Sequence, residues 1–163
     1  MKLDRTITAT VYIVFEDKVL LHMHKKHKTL FPLGGHMESY ELPSETAIRE
    51  VLEEAGLDVK LINLDEELGV NRVIQLHRPM HILLENIGKE VENIDFIYYA
   101  KSYTDKVNPG MKESRELYWF AKEDIIENDN IKSHIKVMAL DAIQKVSEYD
   151  IKKWNNFINI YNN

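Results

Sequence analysis

Apolar and polar residues alternate over residues 6–15, and the stretch is rich in β-branched side chains. That is the pattern of a strand with one face on a core. Glu16-Asp17-Lys18 reads as a hairpin turn and residues 19–24 as the return strand. The period then changes. Over residues 43–55 the apolar side chains Ile48, Val51, Leu52 and Ala55 recur at i, i+3, i+4 and i+7, which predicts a helix burying that stripe. Pro43 suits the first helical turn, Leu42 makes a poor N-cap, and Gly56 stands where a left-handed residue ends a helix.

Residues 58–64 and 72–76 read as further strands, and residues 79–87 are ambiguous between strand and loop. The clearest strand is IDFIYYAKS, residues 94–102. Its Tyr98 and Tyr99 point to opposite faces, so at most one of them can line a base pocket. Asn108-Pro109-Gly110 marks a turn inside a polar segment, residues 104–115, long enough to cover an active site. A strand at 117–120 and a short helix at 122–128 follow. Ser133 caps a longer helix with Ile135, Met138, Ala139, Ala142, Ile143 and Val146 on its apolar face. In the tail, Trp154, Phe157, Ile158 and Tyr161 keep helical spacing and are expected to pack on the domain or on a second subunit, as in a homodimer. The division expected is one domain over 1–146 and a helical extension over 147–163.

Composition narrows the class. A chain of 163 residues, 44% apolar and 29% charged, fits one globular domain that buries about 70% of its unfolded surface. It has no cysteine, so disulfides, thiolate zinc sites and cysteine nucleophiles are excluded. No signal-peptide core follows Met1, and no apolar run reaches the ~20 residues that span a bilayer. The expected setting is cytoplasmic, away from any membrane. An acidic net charge of −6 also argues against non-specific binding of DNA.

That charge is concentrated. Residues 35–57, GHMESYELPSETAIREVLEEAGL, hold six carboxylates (Glu38, Glu41, Glu45, Glu50, Glu53 and Glu54) against one arginine, Arg49. The stretch thus carries −5, and the rest of the chain is close to neutral. Like charges packed so closely destabilise a fold unless something offsets them, and a divalent cation does so most simply. On the helix, Glu50, Glu53 and Glu54 share the side opposite the apolar stripe. Arg49 lies i+4 from Glu45 and i−4 from Glu53, so it can tether either. A solvated helix face is the bland reading. Here the face has one sign only and follows a tight Gly34-Gly35 turn. Elsewhere, His22 and His24 share a strand face and could ligate a metal, but no third ligand is near, so an exposed or cleft-lining position is the reading kept. The basic loop Lys25-Lys26-His27-Lys28 is a solvated turn placed where it could also meet phosphate.

Gly35, five residues, Glu41, seven residues, then Arg49-Glu50-Val51-Leu52-Glu53-Glu54-Ala55-Gly56-Leu57 resembles the Nudix box, GX5EX7REUXEEXGU, at every fixed position. The upstream Phe31-Pro32-Leu33-Gly34-Gly35 is similar to the aromatic-X-Pro-Gly-Gly of that family with its proline displaced by one. The resemblance implies the Nudix fold, an α/β/α sandwich with a central mixed sheet and a loop–helix–loop motif. It implies hydrolysis of a phosphoanhydride in a nucleoside diphosphate linked to another group, such as a nucleoside triphosphate or other nucleotide derivative. Mg²⁺ would be the cofactor, with Mn²⁺ as a substitute. Carried over by position, Glu50, Glu54, Glu53 and the Gly35 carbonyl are the metal ligands, and Glu38 is a weaker candidate. Glu53 alternatively serves as base on the attacking water, Arg49 orients Glu53 or Glu41, and a late-loop acid, Glu116 ahead of Glu113, completes the catalytic group. Substrate-binding residues are not assigned.

Two rivals share the fold. One is a Nudix-like regulatory module that binds a nucleotide metabolite without hydrolysing it, where a degenerate box and an effector domain are expected. The other is an isopentenyl-diphosphate-isomerase-like enzyme, and the missing cysteine speaks against it. The proline and tyrosine that mark some substrate subfamilies downstream of the box are absent around residues 71–74, so the substrate stays open.

Overall fold

The computed structural model describes residues 4–25 and 27–161, the last five as backbone only. The chain runs β1 (Asp4–Phe15), β2 (Lys18–Met23), β3 (Leu30–Phe31), β4 (Leu33–His36), α1 (Pro43–Ala55), β5 (Val59–Leu61), β6 (His81–Gly88), β7 (Val91–Ser102), β8 (Leu117–Ala121), α2 (Lys122–Glu127) and α3 (Ser133–Tyr161). The eight strands form one mixed sheet built around β1. On one edge β1 runs parallel to β7, with Thr8 beside Asp95 and Tyr12 beside Tyr99. Its other edge is shared. Residues Thr8 to Val11 pair antiparallel with β4, and Ile13 to Phe15 pair with β2. The sheet therefore splits where β1 passes from one partner to the next.

The β1–β2 turn is two residues long, with Glu16 at φ 44° and Asp17 at φ 55°. Two successive positive φ values give the turn whose twist matches that of the flanking strands. Alternation along β1 and β7 then sorts side chains into two cores. Val11, Ile13, Tyr98 and Ala100 face α1, with Ala47, Val51 and Ala55 opposite them. Tyr12, Val14, Ile97 and Tyr99 face the other way, beneath Ile125 of α2 and Ile135, Met138, Ala139, Ala142 and Val146 of α3. The result is the α/β/α sandwich with a mixed central sheet.

Three expectations are corrected. Helix α1 has the expected bounds and its Gly56 cap, but Ile48 is 44% and Leu52 58% exposed. The buried line is Ala47, Val51 and Ala55, with Thr46 beside it. Small side chains let the helix approach β4 closely, and this turns Glu50 and Glu54 toward the sheet. Residues 72–76 do not form a strand, because β7's outer edge is already filled by β6 along residues 91–97 and by β5 along 100–102. Those residues lie in an exposed crossing in which Gln75 accepts from the Leu68 amide and donates to the Glu66 carbonyl. The strand expected over 58–64 shortens to Val59–Leu61.

The poor N-cap Leu42 is compensated by Glu45, whose carboxylate accepts the Leu42 amide at 2.8 Å. The helix expected from Ser133 and the tail at helical spacing run on as one helix to Tyr161, with Tyr149 buried against the core. Trp154 is mostly exposed, while the side chains of Phe157, Ile158 and Tyr161 lie outside the described residues. Among the described residues no helix is long and apolar enough to cross a membrane.

Candidate active site

Gly34, just before the motif, and Gly35, its first residue, set the distance between strand and helix. A Cβ on Gly34 would collide with the Ala9 carbonyl oxygen and come within 2.8 Å of Thr10 Cα. A Cβ on Gly35 would overlap the Glu50 carboxylate. With neither present, α1 settles on β4, and the Gly34 amide donates to Glu54 Oε2 at 3.0 Å. Glu54 is thereby drawn inward rather than left on a solvated face. Burial, with Glu50, Glu113 and Glu53 around it, pushes its carboxyl up to about 7 despite the Gly34 N–H.

Arg49 is the hub of the other carboxylates. Its Nε and Nη2 donate to the two oxygens of Glu41 at 2.5 and 3.0 Å, and Nη1 donates to Glu50 at 2.7 Å and, longer, to Glu53 at 3.4 Å. Nη2 also reaches the His36 carbonyl at 3.1 Å. This fork holds the Glu41 carboxyl down to about 2, with help from the Glu38 amide and the Thr46 hydroxyl. Arg49 is thus fixed chiefly by Glu41, while Glu45 is occupied with the helix start. Glu53 stands 55% exposed at the outer side of the cluster.

The late loop reaches the site through the end of α1. Gly56 adopts φ 64° and its amide bonds Leu52 O. The last carbonyls of the helix are taken by the loop, with Asn108 N on Ala55 O at 2.7 Å and Gly110 N on Glu53 O at 2.9 Å. That staple brings Glu113 close enough to raise Glu54. Glu116 sits elsewhere, exposed at the foot of β8 with its carbonyl on the Met23 amide. Glu38 is exposed as well. Gly56→Ala would force a left-handed alanine whose Cβ meets the Asn108 carbonyl. It is expected to cost about 1–3 kcal/mol and to loosen the Glu113 loop, read by urea unfolding and by proteolysis near residue 110.

Behind Glu54, where β1 changes partner, a cavity of about 380 Å³ opens into the sheet. Gly34 and Glu54 line it together with Thr10, Tyr12, Glu85 and Asp95. His22 and His24, read from the sequence as exposed or cleft-lining, are on its wall. Neither Tyr98 nor Tyr99 lines it; Tyr99 donates instead to Asp141 at 2.7 Å. Sequence reading missed Tyr12, Glu85 and Asp95. The available signal was an acid at an inward position of an otherwise apolar strand, Asp95 in phase with Ile97 and Tyr99. Lys26 of the basic loop lies outside the described residues.

The donors fit a hard divalent cation. They are carboxylate and carbonyl oxygens, negative in excess, with their arginine already committed. Among the described residues no three His, Asp or Glu side chains close into a cage. A divalent cation such as Mg²⁺ does not require such a cage, since it is generally held by one or two carboxylates together with substrate phosphates and water.

A family model described as NUDIX domain matches residues 4–140. A hydrolase of the NUDIX family from Clostridium perfringens, known by its crystal structure, is 41% identical, with a TM-score of 0.81 over 88% of this chain and 99% of that one. The "Probable DHNTP pyrophosphohydrolase" of Lactococcus lactis subsp. cremoris (strain MG1363) is 30% identical over 105 residues. That match spans 59% of this chain and 63% of the relative's length. The MutT protein of Methanosarcina mazei Go1 shares the fold, with a TM-score of 0.65 at 15% identity over 92% of this chain and 98% of that one. Box, sandwich and family model agree: the chain belongs to the Nudix hydrolase family.

Proposed function

We propose that the chain is a Mg²⁺-dependent pyrophosphohydrolase that cleaves a phosphoanhydride bond of a nucleotide derivative. The observation that carries this reading is the Glu54 carboxylate, partly buried and lining a cavity, with Glu50, Glu53 and Glu113 around it and the nearby arginine already paired to Glu41. Glu50, Glu54 and the Gly35 carbonyl would hold the ion. A cation bound there supplies charge that offsets the diphosphate and makes water a better nucleophile.

The chain's own groups do the rest. Glu54 keeps one oxygen on the Gly34 amide, which fixes its plane, and Glu50 keeps one on Arg49 Nη1. Arg49 positions the cluster through its fork to Glu41. Glu53 or Glu113 accepts the proton of the attacking water. Glu113 is preferred here to Glu116, because its loop is stapled to the end of α1 beside Glu54. Members of the family generally use divalent metals, and the name of the Lactococcus relative points to the same bond class.

The test is a panel of nucleoside triphosphates, nucleotide sugars, coenzyme-like diphosphates and pterin triphosphates, assayed with Mg²⁺ and with Mn²⁺, with products separated by chromatography. Metal-dependent release of pyrophosphate or a nucleotide product is the expected result. A panel without turnover would favour the binding-module reading.

A further inference from the structure

The cavity's inner wall is built by three strands on the α3 side of the sheet. Thr10 and Tyr12 come from β1, Glu85 from β6, and Asp95 and Ile97 from β7. Asp95 faces Leu83 across the β6–β7 pair, so Glu85 is its diagonal neighbour on the same face, roughly 7–8 Å away. Asp95 is 3% exposed. Its two oxygens accept from the Thr8 and Thr10 hydroxyls at 2.9 and 2.8 Å, which leaves about half of a carboxylate's lone-pair positions open. Glu85 makes no hydrogen bond or ion pair among the described residues, and Lys132 is the cation that partly offsets it. The Tyr12 hydroxyl likewise has no hydrogen-bond partner among the described residues and feels both acids.

Asp95, buried and with lone-pair positions open, and Glu85, half-buried and without a hydrogen bond among the described residues, both present acceptors to the cavity, which His22, His24 and His134 also line. Acceptors held away from water are costly unless donors reach them. We propose that this cavity is a heterocycle site for a 2-amino-4-oxopyrimidine edge, the feature shared by guanine and pterins, with Glu85 and Asp95 as its acceptors. That edge presents a ring N–H beside an amino group, two adjacent donors that a carboxylate accepts in parallel. Adenine and cytosine instead place a bare ring nitrogen beside their amino group, lone pair against lone pair. Phe31, Ile97, Ile135 and Met138 supply apolar surface for the ring faces, and the volume is within the range of small-molecule pockets. Gly34 and Glu54 line the same cavity, so the phosphates of such a ligand are placed toward the acidic helix. This placement of the phosphates rests on the hydrolase reading; the recognition of the ring does not.

Calorimetric titration in EDTA with guanosine, neopterin, adenosine and cytidine tests the ring site apart from turnover. Guanosine or neopterin is expected to bind at least tenfold more tightly than adenosine or cytidine, and which of the two leads identifies the source of the edge. Glu85→Gln and Asp95→Asn should each weaken the favoured nucleoside tenfold or more. If Asp95→Asn fails to fold, Glu85→Gln, on a half-exposed edge strand, carries the test. Equal affinities across the four nucleosides, or an unchanged affinity in the folded variants, would overturn the assignment. Hydrolysis of GTP, ATP and dihydroneopterin triphosphate is measured in parallel. Nucleoside preference without turnover overturns the hydrolase reading and keeps the site, while turnover indifferent to the base overturns the site and keeps the hydrolase.

Discussion

Glu54→Gln is expected to lower turnover by roughly 10²–10³-fold and to leave the fold intact. The amide keeps an oxygen for the Gly34 N–H but removes the charge that would hold a cation. The same variant should change how metal-free stability depends on pH. The folded-state pKa of Glu54, about 7, lies above the ordinary glutamate value of 4.5. The folded protein therefore binds this proton more tightly than the unfolded chain does. The resulting stabilisation is fully present below 4.5 and is lost as pH rises through about 7, an effect of up to about 3 kcal/mol. In EDTA the wild type should thus lose stability relative to Glu54→Gln between pH 5 and pH 8. Saturating Mg²⁺ should raise the wild-type Tm at pH 8 far more than that of the variant. Wild-type turnover in Glu54→Gln, or a wild-type-minus-variant difference flat in pH, would remove Glu54 from the site. Glu53→Gln separates ligand from base. Strong loss of kcat with retained metal binding is expected if Glu53 takes the proton, and little change would leave that role to Glu113.

Arg49→Lys is expected to have the second-largest effect, although charge is conserved. A guanidinium meets Glu41 through two parallel bonds while also reaching Glu50 and the His36 carbonyl. An ammonium is a single point of charge and cannot hold that fork. Metal affinity should fall about 10–100-fold, the usual effect of losing a group that orients ligands. Glu41 reports the change independently. The Arg49 guanidinium holds the Glu41 carboxyl down to about 2 against the ordinary glutamate value of 4.5, so the stability it contributes is present above 4.5 and lost as pH falls through 2. In Arg49→Lys that loss should begin at higher pH, which moves the acid-unfolding midpoint upward. An unshifted midpoint with unchanged metal affinity would show that the fork has no positioning role.

Much of the frame could be read from local pattern. Alternation placed β1 and β7, the i, i+3, i+4 spacing placed α1 and α3, and Gly56 marked the end of α1 with a left-handed residue. These features depend on a few neighbouring residues. What failed depended on partners. The segment 72–76 has the composition of a strand, but the edge it would need on β7 is occupied by β5 and β6. Ile48 and Leu52 have the spacing of a buried stripe, yet the glycine-lined approach of β4 selects the smaller face of Ala47, Val51 and Ala55.

The candidate site divides along the same line. The sequence by itself determined the motif whose resemblance implies the reaction class, the spacing of Glu50, Glu53 and Glu54, and the single Arg49 among them. All of these lie within 23 consecutive residues, so chain geometry alone relates them. Only the tertiary structure decided that Arg49 is locked to Glu41, that Glu113 rather than Glu116 approaches Glu54, and that Asp95 and Glu85 line the space behind. Those groups meet through strand register and through a loop stapled to a helix end, contacts between residues far apart in sequence. Local periodicity carries no information about such contacts, because each depends on which edge or carbonyl the rest of the fold leaves open.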